Sequence, residues 1–500
     1  MMASDDFGEL RSLLQRSPSR VRFHDVLGLF DEFSQAQCEQ RMLYALQQLE
    51  RWPDAVRACP QERLEKLEND KVVWTPWIRH LDYEHQYLND RRFNKLLDNQ
   101  HLRHITNLNL KASRFSWDNL LALAKRAPFD RLEGFAMRKS SSSGADKTAI
   151  EELFHSEMLA ELRHLSFEGW SGIKPYVYTL TANAPFLGTL ESLDLSGCKV
   201  SLKRFKELVS STELKNLESF RMTYQNQNAS MGRMRALAEA THLTSLRELD
   251  FADFEPGELV ALSRAEHFGG LRSLRLALID SLSAQDPDMD DDAIITFCQT
   301  SIIIQLESLA LDMNLLESAT LETLVRAPAM QSLRHLSIRS RAYTNWGLHR
   351  PDGPEYKGHL AALCASDLLS RLRSLHLHNL AMAPDELRSL VCSRHVASLE
   401  ELSLGEHAFS EEHVAALLES AHLDKLHTLL ITNVALSIEG FLELVSAENL
   451  TGLRELRLPR IRWKNHGDDQ TIAQMIEANE MPGRTLFSPL RSGWSVLLQP

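Results

Sequence analysis

Apolar residues recur along this chain in a unit Leu-x-x-Leu-x-Leu. Its first position falls at Ile78, Ile105, Leu132, Leu162, Leu190, Leu217, Leu246, Leu271, Leu306, Leu333, Leu372, Leu399, Leu426 and Leu453. Seven of the thirteen intervals are 27 residues and the others run from 25 to 39. Random leucine enrichment does not hold such a period over fourteen units, so the chain is read as a repeat array before anything else. Within a block, the Leu-x-Leu alternation predicts a short strand with one buried face. Five to ten residues later the spacing becomes i, i+3, i+4, as in Phe441, Leu444, Val445, which predicts a helical face. Ser116, Ser201, Ser410 and Ser437 stand just before such stretches, where a hydroxyl can cap a free backbone N–H. A strand and a helix in every block make successive strands parallel. Neither element buries its apolar face alone, so the blocks must stack.

Leu190-Glu-Ser-Leu-Asp-Leu-Ser-Gly-Cys198 and Leu306-Glu-Ser-Leu-Ala-Leu-Asp-Met-Asn314 carry a resemblance to the leucine-rich-repeat family, in particular its cytosolic, ribonuclease-inhibitor-like class. The resemblance covers about residues 74–466 and implies an α/β horseshoe solenoid, with a parallel sheet on the concave face and helices on the convex one. The family's Asn or Cys three residues after the last strand leucine is present at Asn314 and Cys198. Leu380, His407 and Val434 occupy that place elsewhere, so no continuous asparagine ladder is expected. Residues 1–73, with helically spaced Val26, Leu27, Leu29, Phe30 and Met42, Leu43, Leu46, Leu49, are expected to form a helical N-terminal cap. Residues 467–500 are expected to supply a last helix at Ile472, Met475 and Ile476 and a segment closing the solenoid.

The residues flanking the strand leucines face outward from the sheet. On two neighbouring strands this places His335, Arg339, His376 and His378 in one cluster. Such a cluster can receive a carboxylate or phosphate, or a metal through its imidazoles; ordinary surface histidines are the favoured reading. The longest insertion follows Ile338 and carries Arg341, Tyr343, Trp346 and Tyr356. Trp170, Tyr176 and Tyr178 are assigned to the same rim of an earlier block. Arg, Tyr and Trp on rim loops of a rigid scaffold are candidate binding anchors. An equal reading has Tyr343 and Trp346 filling a local satellite core.

Composition narrows the function classes. A net charge of -13 argues against a nucleic-acid partner, which needs clustered positive charge. No basic-then-apolar leader and no 18-residue apolar stretch appears, so neither secretion nor membrane insertion is expected. The six scattered cysteines contain no CxxC pair and suit reduced thiols in a cytoplasm. Asp286–Asp292 lacks the Gly and Glu of a calcium loop and reads instead as acids at a helix start. Arg138–Gly144 lacks P-loop spacing. No catalytic motif is found, so no cofactor, metal or enzymatic activity is expected. The reading is a scaffold for a protein partner. The resemblance also admits a regulator that inhibits or activates an enzyme such as a nuclease or GTPase. A third alternative is an enzyme whose site lies near the His376/His378 strand.

Overall fold

In the computed structural model the described residues are 6–67, 74–84, 88–111, 116–126, 129–138, 147–170, 174–223, 232–254, 256–278, 288–300, 304–313, 318–340, 360–380, 382–405, 409–459, 461–464, 485–490 and 493–498. The chain forms two compact units, Met1–Leu246 and Arg247–Pro500.

The first unit opens with three helices, α1 (Asp6–Gln15), α2 (Arg20–Glu32) and α3 (Gln35–Leu49). Strands β1 (His80–Asp82), β2 (Asn107–Leu110), β3 (Gly134–Met137), β4 (His164–Ser166), β5 (Ser192–Asp194) and β6 (Ser219–Met222) follow, each separated from the next by a helix. They pair in sequence order, all parallel and in register. The middle apolar residue of each strand lies beside that of the next: Leu81, Leu108, Phe135, Leu165, Leu193 and Phe220 form one column, none more than 2% exposed. Each such side chain contributes roughly 1.5–3 kcal/mol by leaving water, and only a neighbouring block provides the cover. The helices bury the opposite side of this layer, as Phe205, Leu208 and Val209 do in Leu202–Val209.

The segment before β1 closes the open edge of the first strand. Ala58 bridges His80 in parallel fashion, and the Cys59 N–H donates to the His80 carbonyl at 3.0 Å. The Arg57 side chain is 2% exposed and donates Nε–H to the Trp77 carbonyl at 2.9 Å. Phe30 of α2 meets the Trp77 ring edge-on, with centroids 4.5 Å apart.

The second unit repeats the scheme with β7 (Glu248–Phe254), β8 (Ser273–Leu278), β9 (Ser308–Met313), β10 (His335–Ser340), β11 (Ser374–His378), β12 (Glu401–Gly405) and β13 (Thr428–Ile431). A two-residue strand β14 (Ala435–Leu436), the main strand β15 (Glu455–Pro459) and a second short strand β16 (Arg462–Trp463) follow; β14 and β16 form a small parallel ladder. Strands β7 to β13 and then β15 run parallel, stacking Leu249, Leu274, Leu309, Leu336, Leu375, Leu402, Leu429 and Leu456. The array ends differently: β17 (Thr485–Leu490) and β18 (Gly493–Leu498) form an antiparallel hairpin whose β18 pairs antiparallel with β15.

The chain leaves several strands through a left-handed residue. Two positions after the last strand leucine or its equivalent, Gly169 and Gly197 have φ of 72°, Asn379 has 55° and Asn433 has 63°. Each donates its N–H to a carbonyl of the following repeat: Gly169 to Ser196, Gly197 to Thr223, Asn379 to Gly405 and Asn433 to Pro459, at 2.7 to 3.0 Å. Gly and Asn adopt this conformation at least cost. These residues turn the chain where an asparagine ladder is missing. The Cys198 thiol supplies one rung of that ladder, meeting the Phe167 carbonyl of the preceding repeat at 3.0 Å.

Helix starts agree in part with expectation. The Ser116 hydroxyl accepts from the Asn119 N–H and that of Ser437 from the Gly440 N–H, both at 3.2 Å. Ser201 holds the capping position without a side-chain bond, and Ser410 engages the His413 ring instead. The acids from Asp288 onward open the helix Asp288–Cys298. Residues 139–144 and the expected helix at Ile472–Ile476 lie outside the described residues.

Candidate functional site

Because the strands are in register, the side chains on the face away from the helices form a grid. In the second unit, one row runs Arg275, Ala310, Ser337, His376, Ser403. The row on one side is Ser273, Ser308, His335, Ser374, Glu401, and that on the other is Ala277, Asp312, Arg339, His378, Gly405. Ala310 and Ser337 are small and their neighbours are long, so the sheet dips between Arg275 and His376. The strand spacing makes this gap roughly 14 Å across. The result is a cavity of about 360 Å³.

His335, Arg339, His376 and His378 thus come together as the repeat register predicts, on β10 and β11. Arg341, Tyr343, Trp346 and Tyr356 lie outside the described residues. Arg275 and Glu401 complete the cavity but were not picked out by sequence. Arg275 lies two strands from β10, and only the dip at Ala310 connects them. Around Glu401, the His376 Nε2 stands 3.2 Å from Oε1, the Ser374 hydroxyl donates to Oε2 at 3.2 Å, and Ser374 Oγ lies 3.0 Å from His376 Nε2. The His376 contact holds the Glu401 carboxyl below its ordinary range against the opposing effect of burial, with help from Ser374. His378 meets the Ser403 hydroxyl through Nε2 at 3.0 Å, while its buried Nδ1 has no partner among the described residues. Burial, reinforced by the charges of Arg339 and His376, lowers the His378 pKa to about 4, so its ring is neutral near pH 7.

Ser374, His376 and Glu401 superficially suggest a nucleophile relay. In such a relay the two ring nitrogens serve different partners, one the nucleophile and the other the acid. Here serine and carboxylate both meet Nε2, so His376 cannot pass a proton from one to the other. Among the described residues no group of three or more His, Cys, Asp or Glu is placed to hold a metal ion.

The first unit has a smaller depression of about 280 Å³ over Gly134 and Ala136 on β3. It is already partly occupied. The Asn107 Oδ1 lies only 2.0 Å from where a Cβ on Gly134 would stand, and Lys111 is ion-paired with Glu168.

The aromatic residues assigned to an earlier rim are a correction. Pro175 fits the first turn of a helix, Pro175–Ala182, which absorbs the extra residues of that block. Tyr178 is consequently buried at 1% exposure, and Trp170 packs between Phe167 and Trp117 at 2%. They are core residues rather than binding anchors.

No protein-family model and no curated protein matches the chain. Among solved structures it is similar to an internalin from Listeria monocytogenes, at 13% identity and a TM-score of 0.30, over 81% of this chain and 89% of that one. A TM-score that low adds no weight, and the assignment rests on the chain's own strand register. Among the described residues no helix is long and apolar enough to cross a membrane. By its parallel strands, its intervening helices and its in-register leucine columns, the chain has the leucine-rich-repeat solenoid fold.

Proposed function

We propose that the chain is a non-catalytic scaffold that binds a protein partner through the open face of its strands and the loops leaving them. One observation carries the reading: a pair of small residues, Ala310 and Ser337, leaves a polar depression between Arg275 and His376 on the open face. Rigid presentation of such a surface lowers the ordering cost of association. The segment with Arg341, Tyr343, Trp346 and Tyr356 follows β10 directly in sequence, and its aromatic residues are proposed as the anchors that the face lacks. A helix between successive strands supports the ribonuclease-inhibitor-like class, and six free thiols suit a cytoplasmic location. The boundaries 1–73, 74–466 and 467–500 are proposed as cap, repeats and closing segment.

The test is quantitative capture from a cell extract by three baits: the wild type, a face variant (Ala310→Arg with Ser403→Arg), and a helix-side variant with the same change of charge (Glu322→Gln with Glu443→Gln). Loss of bound protein confined to the face variant supports the reading. Equal capture by all three baits, or loss confined to the helix-side variant, overturns it.

A further inference from the structure

We propose that the depression between Arg275 and His376 is a receptor for a single oxyanion, a carboxylate or phosphoryl group presented by the partner. This rests on the scaffold reading and specifies its chemistry. The floor, Ala310 and Ser337, is wide enough for one polar group. Arg275 stands at one wall, exposed, with no ion pair among the described residues. Its guanidinium therefore has donors to offer that no described carboxylate has taken, in a fork that matches an oxyanion. Ser308 and Ser337 add hydroxyl donors within the same lining.

Two acids also line the depression, each beside a basic residue of its own. Glu401 receives the Ser374 hydroxyl and faces His376 at the opposite wall. Asp312 stands directly beside Arg339 in the register. Asp250 stands beside Arg275 in the register as well, but on β7, on the side away from the floor; bordering the floor itself are the Arg275 guanidinium on one side and the hydrogen-bonded Glu401 on the other. The depression in the first unit lacks this arrangement, since Lys111 already pairs with Glu168 and Asn107 overlies Gly134.

The experiment uses the full chain with its histidines labelled with ¹³C at Cε1, titrated with sodium phosphate, sodium acetate or sodium chloride at matched ionic strength. Resonances are assigned through His335→Gln, His376→Gln and His164→Gln. The expected result is a saturable shift of His335 and His376 with phosphate or acetate, no shift with chloride and none at His164. The tighter of the two salts identifies the oxyanion class. Arg275→Ala should weaken binding at least tenfold, and Ser337→Trp should abolish it by filling the floor. Both replacements are on the open face, and an unchanged thermal midpoint will confirm that they fold. Equal shifts with chloride, parallel movement of His164, or undiminished binding by Arg275→Ala would each overturn the proposal. If Ser337→Trp loses captured protein while neither salt binds, the oxyanion site fails and the scaffold stands. Saturable oxyanion binding with capture indifferent to the face variant has the reverse meaning.

Discussion

The Trp74 indole donates its Nε1 hydrogen to the Asp31 carboxylate across 2.8 Å, joining α2 to the turn that enters the first repeat. Arg63 and Lys66 converge on the same carboxylate, at 3.1 and 3.0 Å. Burial alone would raise the Asp31 pKa. The hydrogen bonds from Trp74 and Lys66 and the charge of Arg63 outweigh it and hold the carboxyl below its ordinary 3.8. A depressed carboxylate stabilises the fold above its unfolded pKa, and the contribution is lost as pH falls through the lower folded value. Asp31→Asn should therefore cost about 1–3 kcal/mol at pH 7 and progressively less below pH 4. Urea unfolding at several pH values checks this; an identical midpoint for variant and wild type at pH 7 would refute the anchoring role.

His378 gives a test of the same sign in a higher pH window. Its folded pKa of about 4 lies below the ordinary 6.5, so the folded state favours the neutral ring. That preference destabilises the fold as pH drops from 6.5 towards 4, because the unfolded chain takes up the proton first. Replacing His378 by Gln should flatten the stability profile across that window. An NMR titration placing the His378 midpoint at 6.5 would contradict the burial seen here.

Gly197 occupies the left-handed exit from β5, and a Cβ there would stand 3.0 Å from the Gly169 Cα of the preceding repeat. Backbone atoms cannot swing aside as a side chain does. Gly197→Ala should cost about 1–3 kcal/mol, from the conformational penalty and the contact together. Gly257, whose added Cβ would meet nothing within 4 Å, is the control and should change little. Thermal or urea unfolding of the pair decides between them.

The six cysteines are free but not equivalent. Burial pushes the Cys198 and Cys298 thiols up to about 12 and Cys364 to about 11, whereas Cys392 is exposed at the end of the helix Pro384–Val391. Thiolate is the reactive form. A disulfide reagent at pH 8 should therefore titrate one thiol rapidly in the native protein and six after denaturation. Cys392→Ser should remove the fast phase; persistence of that phase would mean that a buried thiol opens readily.

The leucine columns are legible from the chain alone because burial follows strict alternation, and alternation survives even the 39-residue interval between Leu333 and Leu372. That is also why His335, Arg339, His376 and His378 could be placed together. Other features depend on single residues without periodicity. The left-handed exits need one Gly or Asn two places after a strand, a signal present at Gly169, Gly197, Asn379 and Asn433 but scattered among other blocks that lack it. Trp170 and Tyr178 look like rim anchors until Pro175 is recognised as a helix start. Arg275 was not singled out because its relation to His376 depends on the smallness of two intervening residues, not on anything at its own position.

The hairpin of β17 and β18 constrains how this array can have grown. A block duplicated in the interior of either unit would meet, on both sides, parallel neighbours of its own kind and could keep every ladder bond. A block added behind Pro459 would have to displace β18 from β15. The outer strand of the hairpin carries Pro489, which has no N–H to offer a newcomer. Lengthening by tandem duplication within a unit therefore keeps the parallel ladder intact, whereas at this end any added block must itself take β15's place against β18.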